Sequence, residues 1–174
     1  MKNQPHDYFA FQNGAWELLI FSAEGTRLAD FRYPKWYSGR VLYTLREPEV
    51  EFEIRASNFW GTQFEVLRSD RGQRLGEIRS NWLGRYRLIV GEEGGEKEEF
   101  VLRRRMKMLR QHYELISQQK EVVLSFDQRF SWREFRTEYQ VQWGRRPSNQ
   151  GTRLLLMGMA FYAIKRLQRQ QGAA

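Results

Sequence analysis

The run Leu154-Leu155-Leu156-Met157-Gly158-Met159-Ala160-Phe161-Tyr162-Ala163-Ile164 contains no charged residue. On a helical projection it is apolar all the way round, so it must be surrounded either by protein or by lipid. Eleven residues fall well short of the roughly 20 needed to cross a bilayer. Another part of the chain therefore has to enclose it. Pro147-Ser148-Asn149 supplies a stop and capping side chains before it, and Lys165, Arg166 and Arg169 after it complement a helix C-terminus. A helix spans about 21 Å from Leu154 to Leu167 at 1.5 Å per residue. Strands of 6–8 residues cover about 20–27 Å, so a sheet can wrap it from end to end. Gly158, Ala160 and Ala163 let such strands approach closely.

The rest of the chain supplies strands. Val50, Phe52 and Ile54 alternate with charges in Glu49–Arg55, and residues Phe135–Trp143 alternate over nine positions. Phe64/Val66, Tyr86/Leu88/Val90 and Val122/Leu124/Phe126 are shorter cases. A helix cannot hold this period, whereas an antiparallel strand with one wet face requires it. Ala23-Glu24-Gly25, Ser69-Asp70-Arg71-Gly72 and Gly91-Glu92-Glu93-Gly94-Gly95 each separate two such runs with turn chemistry. Residues 98–117 fit either a helix, through Leu102, Met106, Leu109, Tyr113 and Ile116, or two strands. The strand reading is favoured, with Phe100, Leu102, Met106 and Met108 inward and a break near Arg110-Gln111. The expected organisation is an N-terminal tail over 1–13, one domain over 14–170 with its helix at about 150–169, and a short tail over 171–174.

Charge is unevenly spread. Residues 1–100 carry 14 Lys and Arg against 16 Asp and Glu, while residues 101–174 carry 15 against 5. The whole basic surplus behind the net charge of +8 lies in the last part, which points to an anionic partner or to a solvated basic face. The chain has no cysteine, which excludes disulfides, thiol nucleophiles and thiolate metal sites. The N-terminus has no apolar signal core, so the expectation is a soluble cytoplasmic protein, at most peripheral to a membrane.

The stretch Phe64-Glu65-Val66-Leu67-Arg68-Ser69-Asp70-Arg71-Gly72-Gln73-Arg74-Leu75-Gly76-Glu77-Ile78-Arg79, followed by Trp82 and Tyr86-Arg87-Leu88, forms a strand, an Asp-x-Gly turn and a return strand. Together with the late apolar run Leu154–Ala160, it resembles the tubby C-terminal-like superfamily of tubby domains, LURP-one-related proteins and phospholipid scramblases. The resemblance extends over about residues 14–170. It implies a closed antiparallel barrel of about twelve strands wrapped around one hydrophobic C-terminal helix. It also implies a lipid or anionic-ligand binder. The chain departs from scramblases in lacking their cysteine cluster.

Catalytic signals are absent from the sequence. His6 and His112 are far apart, and Asp70 sits in a hairpin turn where Asp caps its own backbone. There is no Gly-x-Ser-x-Gly elbow, and Gly91–Gly95 lacks the Lys-Ser/Thr of a phosphate loop. The expectation is therefore a non-enzymatic module without a cofactor or metal. The binding candidates are Arg103, Arg105 and Lys107 on one strand face, extended by Arg133 and Arg136 and further by Arg145 and Arg146. Six tryptophans are expected mostly in the core, with one or two at a rim as membrane-interface anchors. Three readings follow: an anionic-lipid binder, a nucleic-acid binder using the same arginines with aromatic stacking, and a calycin-type barrel with a ligand in its lumen. The last is disfavoured because a calycin helix packs outside the barrel and is amphipathic.

Overall fold

The computed structural model describes residues 7–14, 16–34, 39–81, 83–91, 95–107, 110–145 and 150–172. The alternating runs form twelve strands: β1 (Tyr8–Asn13), β2 (Glu17–Ser22), β3 (Arg27–Arg32), β4 (Val41–Arg46), β5 (Glu49–Ala56), β6 (Gln63–Arg68), β7 (Arg74–Ser80), β8 (Tyr86–Val90), β9 (Glu98–Lys107), β10 (Arg110–Ser117), β11 (Val122–Ser131) and β12 (Arg136–Trp143). Each pairs antiparallel with its neighbours in sequence, and β1 closes the barrel on β12 through Tyr8↔Val141 to Phe11↔Glu138. The helix α1 (Gln150–Gly172) follows. Closure removes every open sheet edge.

The helix lies inside. Leu156, Met157 and Met159 through Ile164 have no exposed surface, and Leu154, Leu155 and Leu167 are nearly as buried. Inward side chains of the strands close round it. Phe64 packs on Tyr162 at 5.1 Å between ring centroids, and Phe126 and Tyr139 pack on Phe161 at 5.0 and 5.4 Å. The Tyr43 hydroxyl donates to the Leu154 carbonyl at 2.8 Å, which carries its ring across Gly158. A Cβ on Gly158 would stand 2.5 Å from that ring, so only glycine fits there. With the helix filling the interior, the barrel has no calycin-like lumen.

Two boundaries differ from expectation. Residues 8–13 are not tail but the strand that closes the barrel. Their outward face is apolar too, because Phe11 stacks on Phe21 at 5.0 Å and carries the Arg136 guanidinium at 4.0 Å. With both faces apolar, the period-two signal disappears. The helix also runs on past 169 to Gly172. Two strands, β9 and β10, account for the described residues of 98–117; β9 ends at Lys107 and β10 already includes Arg110-Gln111, near which the break was expected.

A meander of this kind sends successive connections to opposite ends. The connections after the odd-numbered strands lie at one end and those after the even-numbered strands at the other. The helix follows β12, so it enters at the second end and its C-terminus emerges at the first. Contacts confirm the direction: Tyr162 donates to the Gly39 carbonyl at 3.0 Å and Arg166 to the Gly61 carbonyl at 3.4 Å, both in connections after odd strands. The two ends are named here the exit end and the entry end.

Candidate functional site

The sequence-derived basic residues spread over the β9–β12 quarter of the wall. Arg103 and Arg105 stand exposed on the outer face of β9. Arg105 is an ion-pair partner of Glu114 at 3.1 Å, and Glu114 in turn lies 3.3 Å from His112, which binds Asp127 at 2.7 Å. His112 and Glu114 are buried beneath their neighbours, so Arg105 serves as a local counter-charge. The side chain of Lys107 lies outside the described residues. Arg136 covers Phe11 and hydrogen-bonds Glu138 at 3.3 Å. Arg133 sits exposed in the β11–β12 hairpin at the exit end. Arg145 is at the entry end, paired with Glu121 at 2.8 Å, and Arg146 lies outside the described residues. Among the described residues, no group of three or more His, Asp or Glu is placed to hold a metal ion.

The exit end carries what the sequence reading put in the core. Phe59 is 95% exposed, Trp60 73%, and Trp132 and Phe135 78% each. Trp16, Leu83, Met106 and Phe130 are exposed beside them. Phe130, Trp132 and Phe135 form a mutual edge-to-face cluster, with centroids 5.0–6.3 Å apart, at the tip of one hairpin. Phe59 and Trp60 form a second such pair at 5.6 Å on another. Of the described tryptophans only Trp143 is core, so the expectation of mostly buried tryptophans fails. Trp36 and Trp82 lie outside the described residues. Short hairpins explain the exposure: residues 57–62 and 132–135 are turns, with Gly61 and Phe135 at positive φ, and their side chains have no facing layer to bury against.

Cations accompany the aromatics. Arg133 and Arg85 are exposed in exit-end connections and carry no ion pair among the described residues. The last turns of α1 bring Arg166 over Phe64 at 4.6 Å and Arg169 over Tyr33 at 4.2 Å. Burial pushes the Tyr33 hydroxyl above its ordinary value, with Arg169 and Arg166 pulling against that, so it stays neutral. The entry-end connections differ: among the described residues, 23–26, 47–48, 69–73, 91, 95–97, 118–121 and 144–145 contain no aromatic residue, and their acidic and basic side chains nearly balance. A surface depression of about 700 Å3 on the outer face of β5–β7 holds charges already paired with each other, such as Arg55 with Glu65 at 2.7 Å.

No protein-family model matches this chain, and no curated protein matches it. Among solved structures it is similar to the X-ray structure of the Arabidopsis thaliana protein AT5G01750, at 9% identity and a TM-score of 0.35, over 90% of this chain and 91% of that one. No helix among the described residues is long and apolar enough to cross a membrane.

Proposed function

We propose that the chain is a non-enzymatic binding module of the tubby-like kind that docks its exit end on an anionic lipid surface. One observation carries this reading: exposed aromatics, interspersed with arginines that have no ion pair among the described residues, crown one end of the barrel, and the connections of the other end contain no aromatic. Tryptophan is stable at the boundary between headgroups and acyl chains, where its ring is buried and its N–H stays wet. Each Lys or Arg near an anionic leaflet adds about 1 kcal/mol. Aromatics on the tips of separate hairpins make several shallow insertion points, which suits a fluid bilayer better than a folded partner. The reading also agrees with the resemblance noted in the sequence.

Flotation with phosphatidylcholine vesicles, with and without phosphatidylserine, tests it. The protein should float only with the anionic vesicles, with a blue shift in tryptophan emission. Binding to single-stranded RNA or DNA without flotation would replace this reading with the nucleic-acid one, in which the same rings stack on bases.

A further inference from the structure

At the exit end, β1–β3 and the last turns of α1 line a half-open pocket of about 250 Å3. Trp16, Phe31 and Tyr33 form its apolar wall, and Lys165 and Arg169 project from successive turns of the helix. Lys165 is mostly buried and donates to Gln12 at 2.9 Å. Arg169 rests on Tyr33 and faces Trp16 at 5.7 Å. Neither cation has an ion-pair partner among the described residues. The single carboxylate on the wall, Glu17, accepts a hydrogen bond from Asn13 at 2.6 Å instead. The Tyr33 hydroxyl is also buried without a hydrogen-bond partner.

The desolvated Lys165 ammonium and the orphan Tyr33 hydroxyl are costly to leave unmatched, and the exposed Arg169 adds a second cation at the rim of the same pocket. All three can donate, so the missing partner is rich in acceptors. We propose that this cavity binds a phosphate group, held between Lys165, Arg169 and the Tyr33 hydroxyl. The paired positive charge matches a dianion better than a carboxylate, and an arginine fork suits its oxygens. The volume admits a phosphate ester and little more. The inference deepens the lipid-surface reading and rests on it for one source of the group, a headgroup delivered by the aromatic crown. The other source is a soluble phosphate ester.

Calorimetric titration of the full chain with inorganic phosphate and glycerol 3-phosphate, beside flotation on vesicles doped with phosphatidic acid, separates these. Arg169→Gln should weaken binding about tenfold or more, and Tyr33→Phe, which removes one hydroxyl and keeps the packing, should weaken it several-fold. Circular dichroism on each variant confirms the fold. Saturable binding of glycerol 3-phosphate, lost in both variants, supports a soluble ligand. Binding seen only on phosphatidic-acid vesicles and lost in both variants supports a headgroup. Flotation that survives both variants, with no heat from either soluble probe, overturns the phosphate site while leaving the aromatic crown as the membrane contact.

Discussion

The two ends of the barrel are made by the same twelve strands and diverge only in their connections. At the entry end the turns are glycine-rich, polar and of mixed charge, with Ser22 accepting from Thr26 and Arg145 paired with Glu121. At the exit end equally short turns display Phe59, Trp60, Trp132 and Phe135 to solvent. Neither set is needed to hide the helix, whose apolar surface is already covered by inward strand residues. The difference teaches that the scaffold dictates where the connections go and leaves their chemistry free. Exposed aromatics that no packing demands are therefore the ground for proposing a partner at that end.

The strongest attempt to erase that difference is Trp60→Ala combined with Trp132→Ala. Each side chain is largely exposed, so unfolding free energy should move by no more than about 0.5 kcal/mol. Inserting a large aromatic side chain contributes about 1.5–3 kcal/mol, so losing two should weaken vesicle binding by about a hundredfold or more. Flotation titrations and urea melts on the same protein check both halves. Equal flotation of variant and wild type would make the exit end as inert as the entry end.

Lys165 offers the next largest effect. Burial, aided by the positive charge of Arg169, pushes it from an ordinary 10.5 down to about 8. Glu17 from β2, Tyr33 from β3 and Tyr139 from β12 also face it. Between pH 8 and 10.5 the unfolded chain holds a proton that the folded protein has released, so stability rises with pH in that window. Burial raises the Tyr33, Tyr139 and Tyr162 hydroxyls, so the folded protein keeps protons there that the unfolded chain loses, and stability falls above pH 10. From pH 8 to 10 the wild type should gain on the order of 2 kcal/mol relative to Lys165→Met, read from paired urea melts. Phosphate binding should weaken over the same interval in the wild type. A flat difference would mean that Lys165 is not held in a desolvated site, and the exit end would lose its distinct chemistry.

Between the two ends, Gly158 tests the part they share. Gly158→Ala gains about 1 kcal/mol of helix propensity but drives a methyl group into the Tyr43 ring, whose hydroxyl is tied to Leu154. A net loss of about 1–2 kcal/mol is expected, a fall of several degrees in melting temperature, with vesicle binding per folded molecule unchanged. This shared part was also the most legible. An uncharged cylinder too short for a bilayer allows few solutions, and Val50/Phe52/Ile54 or Tyr86/Leu88 alternate because one face is wet. The tail assigned to 1–13 failed where that asymmetry fails, since Phe11 is covered by Phe21 and Arg136 on the outside.

The site was harder to read, for a physical reason. Tryptophan and phenylalanine signal burial on average, and nothing in their identity distinguishes a core ring from one at a hairpin tip. The information lay instead in alternation. Aromatic connections such as 57–62 and 132–135 take turns along the chain with aromatic-free ones such as 69–73 and 118–121, and in a meander every second connection shares an end. Lys165 and Arg169 lie four apart on one helix face, and the sequence alone assigns them only to the helix dipole. The smallest test uses the opposite end. Glu121→Gln removes the partner of Arg145 from a pair whose side chains are 52% and 70% exposed. An exposed pair contributes between nothing and about 1 kcal/mol, so the melt should barely move. Flotation should rise slightly if it moves at all, because the net charge becomes more positive far from the contact. A clear loss of vesicle binding would place the lipid at the entry end and invert the polarity argued from the aromatics.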